Sequence, residues 1–185
     1  MDYRQLYDLE SYVCDTVGPR FRTVGKLSAF DFFCIVVWKA NRAKSKIAKR
    51  LLVLGHGDLE RAVGALTSDL TAAVGPKERL RVLHRKWRFR LPMSSAILSV
   101  LYPEEFTVYD VRVCGVLGDF SRLGSITRFD RLWDGYVEYK KAVSEAVPGH
   151  LSLRDKDRFL WGKSFAEQLQ HQVGSGFAKA APDVR

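Results

Sequence analysis

The sequence predicts an all-α fold, on three observations. Apolar residues recur at three- and four-residue spacing through most of the chain, the period of an amphipathic helix. Short polar residues suited to capping (Ser28, Asp58, Asp110, Ser152) stand immediately before several of these runs. Strict alternation of apolar and polar residues, the mark of a half-buried strand, is weak throughout.

In chain order, the first predicted helix is Asp2–Cys14, closed by Gly18-Pro19. Ser28 caps Ala29–Asn41, with Phe33, Val36, Val37 and Ala40 at helical spacing. Lys44–Leu54 puts Ile47, Leu51 and Leu54 on one face and stops at Gly55-His56-Gly57. Asp58 caps a helix to about Leu66, and Thr67 or Ser68 opens a short one after it. Pro76 suits the first turn of a helix to about His84. Pro92–Leu101 follows and ends before Pro103; Asp110 then precedes Val111–Leu117. Phe129–Val147 is long and amphipathic, closed by Pro148-Gly149, and Ser152 begins a last helix through about His171. Residues 1–173 are expected to form one domain and 174–185 a flexible tail.

At 185 residues the chain is long enough to bury a core, and 46% of it is apolar, which excludes a disordered chain. The net charge is +9. Residues 39–50 hold six Lys/Arg and no acid, and residues 77–90 hold seven Lys/Arg and one Glu. The charge is therefore concentrated, and it points to an anionic partner. Lys39, Arg42, Lys46 and Lys49 would form a basic stripe on a continuous helix, a surface that tracks phosphates without reading sequence. Three scattered cysteines, with no CxxC and no zinc or iron–sulfur spacing, read as free thiols in a reducing compartment. No signal peptide and no membrane span are expected, so the expected location is cytoplasmic, with neither metal nor cofactor.

The informative stretch is Lys86–Val113, KWRFRLPMSSAILSVLYPEEFTVYDVRV. A helix, a short basic turn, a helix near Pro92, an acidic turn at Pro103–Phe106 and Asp110 at the head of another helix follow one another. This order resembles the helix-hairpin-helix DNA glycosylases of base excision repair over about residues 26–165. Leu91–Val113 and Leu151–Ser164 also look like small bacterial members of that group. The resemblance places Arg88-Phe89-Arg90 where the family's hairpin has G-V-G, and Asp110 where it has its catalytic Asp. It implies a two-lobed helical domain, one lobe built mainly from residues 26–115 and the other from the two chain ends, with the cleft between them. Glycines in such a hairpin let a phosphate approach backbone N–H groups. With arginines there, either the side chains reach the phosphate directly or the hairpin has another shape.

Relatives that also cut the strand carry a lysine nucleophile eighteen residues before the Asp. Here that position is Pro92, and a small gap brings Ser94 or Ser95, neither an amine. The resemblance therefore implies a monofunctional enzyme in which water attacks C1′. Asp110 would stabilise the oxocarbenium-like sugar and orient or deprotonate the water. It also suits a helix N-cap, and the two roles are compatible. Candidate DNA contacts are Arg85, Lys86, Arg88, Arg90, Ser94, Arg112 and Lys46. Candidate walls for an extruded base are Trp38, Tyr109, Trp161 and Lys163, with Trp87 as a wedge near the hairpin. The expected partner is double-stranded DNA bearing a damaged or modified base, enlarged phage pyrimidines among them, and the expected state is a monomer. The alternative is a DNA-binding module with the same fold and no catalysis.

Overall fold

The computed structural model describes residues 3–54 and 57–177, and every regular element among them is helical. The order is α1 (Leu9–Ser11), α2 (Gly18–Val24), α3 (Ala29–Ala40), α4 (Lys44–Leu54), α5 (Leu59–Ala72), α6 (Pro76–Arg81), α7 (Leu91–Leu101), α8 (Val111–Leu117), α9 (Phe129–Glu145) and α10 (Leu153–Gly174). Of the expected tail, residues 174–177 are the end of α10 and a turn, and 178–185 lie outside the described residues, as do Gly55 and His56.

The caps act as their residue types predict. Ser28 accepts from the amide of Asp31, Asp58 from Arg61, Asp110 from Arg112 and Ser152 from Asp155. Each satisfies one of the N–H groups that a helix start leaves without an internal partner.

Three boundaries differ from expectation. The first helix is interrupted, a 3-10 turn over Tyr3–Leu6 giving way to α1 behind an Asp8 cap. Gly18-Pro19 does not end the first helix. The chain widens into a π-turn over Tyr12–Val17 and continues as α2 to a left-handed Gly25. Pro19 falls in the first turn after that widening, where its missing N–H costs little. The third difference is that α5 runs unbroken past Thr67. The Thr67 hydroxyl bonds back to the carbonyls of Val63 and Gly64, so the residue stays inside the helix.

At the centre lies α7, buried on all sides except at Pro92 and apolar enough to be so. Its three serines are satisfied locally, Ser94 by the carbonyl of Phe89, Ser95 by that of Pro92 and Ser99 by that of Ala96. A single core cluster surrounds it, from Tyr12 to Leu160. Close approach to α7 depends on Gly18, where a Cβ would lie 2.5 Å from the Val100 carbonyl oxygen. The Arg22 guanidinium donates to that same oxygen at 3.2 Å, partnering a carbonyl at the helix end.

Past α7 the chain runs extended through Phe106–Tyr109, buried but in no sheet. Side chains supply the bonds that a neighbouring strand would have given. The Tyr136 hydroxyl donates to the Thr107 carbonyl and accepts from the Thr107 amide, at 2.7 and 3.1 Å. The Tyr139 hydroxyl donates to the Val108 carbonyl at 2.9 Å, and the Ser95 hydroxyl accepts from the Tyr109 amide at 2.9 Å. The segment that delivers Asp110 is thus clamped from α7 and α9.

Candidate functional site

Asp110 ends this clamped segment and begins α8. Its Oδ1 accepts from the Arg112 amide at 2.9 Å, and its Oδ2 pairs with the Lys39 ammonium at 2.6 Å. Lys39 comes from the last turn of α3 and is largely covered, with 13% of its side chain exposed. It belongs to a largely covered ion pair and not to a solvent-facing basic stripe. Burial works against ionisation of Asp110, but the Lys39 charge and hydrogen bond and the Arg112 amide outweigh it and hold the carboxyl below the usual range. At neutral pH this is a carboxylate.

The pair opens onto a cavity of about 410 Å³, within the size range of small-molecule sites. Trp38 of α3 and Trp161 of α10 give it aromatic walls, and Val108 and Asp157 line it as well. Glu10 of α1, which also lines it, pairs with Arg154 and Arg158 of α10, at 3.4 and 3.2 Å. The cavity is therefore enclosed where the two chain ends meet α3 and the start of α8. Trp161 stacks on Phe165, and the Arg112 guanidinium lies 5.4 Å from the Trp161 ring centre. Arg112 also donates to Gln168, so it braces α8 against α10.

Asp157 is the group that sequence reasoning missed. It sits one turn before Trp161, and its Oδ1 is shut from solvent with no hydrogen-bond partner. Burial, with Asp110 and Glu10 adding to it against the opposing charges of Lys39 and Arg154, pushes its carboxyl up to about 7. Two carboxyl groups in one cavity thus have their protonation driven apart, one ionised and one poised to hold a proton, a pattern typical of acid–base chemistry. Nothing local in the sequence marks Asp157, which stands in an ordinary charged run, LRDKDRF.

Other expected wall residues lie elsewhere. Tyr109 is 1% exposed and faces the core, its hydroxyl bonded to the Phe120 carbonyl and to the Gly124 amide. Burial pushes its phenol up to about 12. Lys163 points to solvent and pairs with Glu167. Ser94 is fully buried inside α7 and cannot reach a phosphate. Trp87 is also buried, donating to Asp69, so it is no wedge.

The two basic segments adjoin. Arg50 of α4 donates to the Arg88 carbonyl at 2.6 Å and lies over the Phe89 ring. Helix geometry breaks at Ala40, so the basic residues continue on α4 and not along α3. Arg42, Lys46, Lys49, Arg85, Arg88 and Arg90 are exposed, while Lys86 pairs with Asp69. Arg88 has a φ of +55°, in the left-handed region that favours glycine.

Among the described residues no helix is long and apolar enough to cross a membrane, and no His, Cys, Asp or Glu cluster is arranged to hold a metal ion. No family model, no curated protein and no solved structure matches this chain.

Proposed function

We propose that this protein is a monofunctional DNA glycosylase of the helix-hairpin-helix type. It takes a damaged or modified base, flipped out of duplex DNA, and hydrolyses its N-glycosidic bond, leaving an abasic site in an uncut strand. The observation that carries the reading is the Asp110 carboxylate, fixed by Lys39 and by its own helix cap, lining a cavity walled by two tryptophans. An ionised carboxylate in a partly dry site stabilises positive charge growing on a sugar. Aromatic walls suit an unstacked base. The left-handed Arg88, in the turn where the resembling family has glycine, supports a hairpin there.

An abasic-site assay on a panel of modified duplexes, with mass spectrometry of the freed bases, tests the reading. Release of one base class without strand cleavage is the expected result. No release from any duplex overturns it.

Two further outcomes follow from the geometry. Neutralising Arg88 and Arg90 together is expected to weaken binding to duplexes of any sequence and to lower the salt-dependence slope by about one per lost phosphate contact. A titration at several salt concentrations checks this, and an unchanged slope removes these arginines from the interface. Borohydride is expected to trap no covalent enzyme–DNA adduct during turnover. Pro92 carries no amine, and Lys39, the amine within the cavity, is engaged as an ammonium with Asp110. An adduct mapped to Lys39 would make the enzyme bifunctional.

A further inference from the structure

Beside the cavity, and sharing Glu10, Trp38, Val108 and Asp157 with it, is a small recess of about 10 Å³ that Ser99 and Thr107 also line. Two buried oxygens at this recess have no hydrogen-bond partner, Asp157 Oδ1 and Thr107 Oγ1, and Thr107 is 1% exposed. Buried polar atoms without partners cost about 1–3 kcal/mol each, and of the two only Asp157 also lines the larger cavity, where it can meet polar atoms of a ligand. Asp110 lines the larger cavity only, whereas Asp157 lines both that cavity and the recess. A sugar held at Asp110 would have its base in the cavity that Asp157 also lines.

We propose that Asp157 is the proton donor to the departing base, which makes the substrate class a neutral heterocycle with an acceptor nitrogen or carbonyl facing that carboxyl. This deepens the glycosylase reading and rests on it. The C1′–N bond breaks with its electron pair passing to the base, and the Asp157 carboxyl proton goes to the base's acceptor atom. Water adds its oxygen to C1′, Asp110 takes the water's proton, and that proton restores Asp157 through solvent. The sum is one water consumed, one base released neutral and one abasic sugar formed.

The charges facing Asp157 fit a carboxyl that keeps its proton near neutrality. Lys39 from α3 is already engaged by Asp110, Arg154 from its own helix is engaged by Glu10 of α1, and Tyr136 and Tyr139 of α9 are pushed up by burial and by Asp157 itself. The net field favours ionisation less than burial opposes it. A cationic, N-alkylated base needs no proton to leave. It would gain nothing from this group.

The test is single-turnover base release by wild type and Asp157→Asn, from duplexes carrying hypoxanthine (neutral) and N7-methylguanine (cationic), across pH 5 to 9. Asn retains a hydrogen-bond donor and a similar size but has no proton to give. The expected result is a loss of about 10²–10³ on the neutral base, against less than about tenfold on the cationic one. The wild type's decline in rate on the neutral base above pH about 7 should vanish in the variant. Thermal melts add a readout independent of turnover. A carboxyl raised above its unfolded value of 3.8 binds its proton more tightly when folded, so it costs stability progressively as pH rises from about 4 to about 7, and the loss levels off above that. The Asn variant should therefore gain on wild type over that window. Equal losses on both bases, wild-type activity on the cationic base alone, or parallel melting curves overturn the donor role while leaving the glycosylase reading intact. A wild type that releases neither these bases nor any in the wider panel overturns both.

Discussion

Asp110→Asn is expected to slow base release by about 10²–10³ while leaving the fold intact. The loss follows from removing a fixed negative charge that faces a developing cation. Asn caps a helix about as well as Asp, so the bond to the Arg112 amide survives the exchange. The Lys39 pair does not survive as an ion pair, and it is largely covered on both sides, 13% and 22% exposed. Removing the partner of such a charge-assisted bond costs roughly 1–3 kcal/mol. The Asp110 carboxyl is held below its unfolded value. Its contribution is therefore present above the unfolded pKa and is lost as pH falls through the folded one. The stability gap between wild type and variant should accordingly be widest at neutral pH and close in acid. Single-turnover release beside melts at pH 7 and in acid reads all of this. Full activity in the folded variant would leave Asp110 as a cap alone.

Gly18→Ala carries the largest expected stability effect. In an ordinary helix that exchange gains about 1 kcal/mol. Here the new methyl carbon would stand 2.5 Å from the Val100 carbonyl oxygen, which is backbone and cannot swing aside. It would also crowd the Arg22 guanidinium that partners this oxygen. Overpacking costs about 1–3 kcal/mol, and loss of the charged hydrogen bond a further 1.5–3 or so, so the sign reverses to a net loss of about 2 kcal/mol or more. Gly135 is the control. A Cβ there meets Leu123 Cδ1 at 2.6 Å, the far end of a flexible side chain that can rotate away. Denaturant midpoints should fall clearly for Gly18→Ala and much less for Gly135→Ala; equal shifts would mean that α2 can move off α7.

Helix starts were legible in the sequence because their cause is local. Ser28, Asp58, Asp110 and Ser152 each sit three or fewer residues from the amide they serve, whereas Asp110's candidacy for catalysis came only from the resemblance of its surroundings to the glycosylase hairpin. The limits were set by what distant segments bring. Gly18-Pro19 reads as a stop until the π-turn before it supplies a place for proline's missing N–H. Lys39 reads as one member of a basic run until Asp110, 71 residues away, engages it. Tyr109 and Ser94 have the chemistry for a site but face inward, because Tyr109 packs against Tyr139 and the Ser94 hydroxyl returns to its own chain. Asp157 has no local signature at all. Its protonation is set by burial and by charges from other helices, which spacing along one helix cannot report.

The Glu10 pairing with Arg154 joins residues 144 apart in the chain. Glu10 and Asp157 both line the cavity, so its wall is finished only once both α1 and α10 exist. During synthesis α1 and α3 leave the ribosome with one side of the cavity exposed, and Trp38 and Lys39 wait for α10 to arrive. Contacts of such long range close late, since the entropy of the intervening loop must be overcome before they contribute. Competence to hold a ligand is thus tied to the arrival of α10: a protein that ends before that helix can collapse around α7 and still have no site to act from.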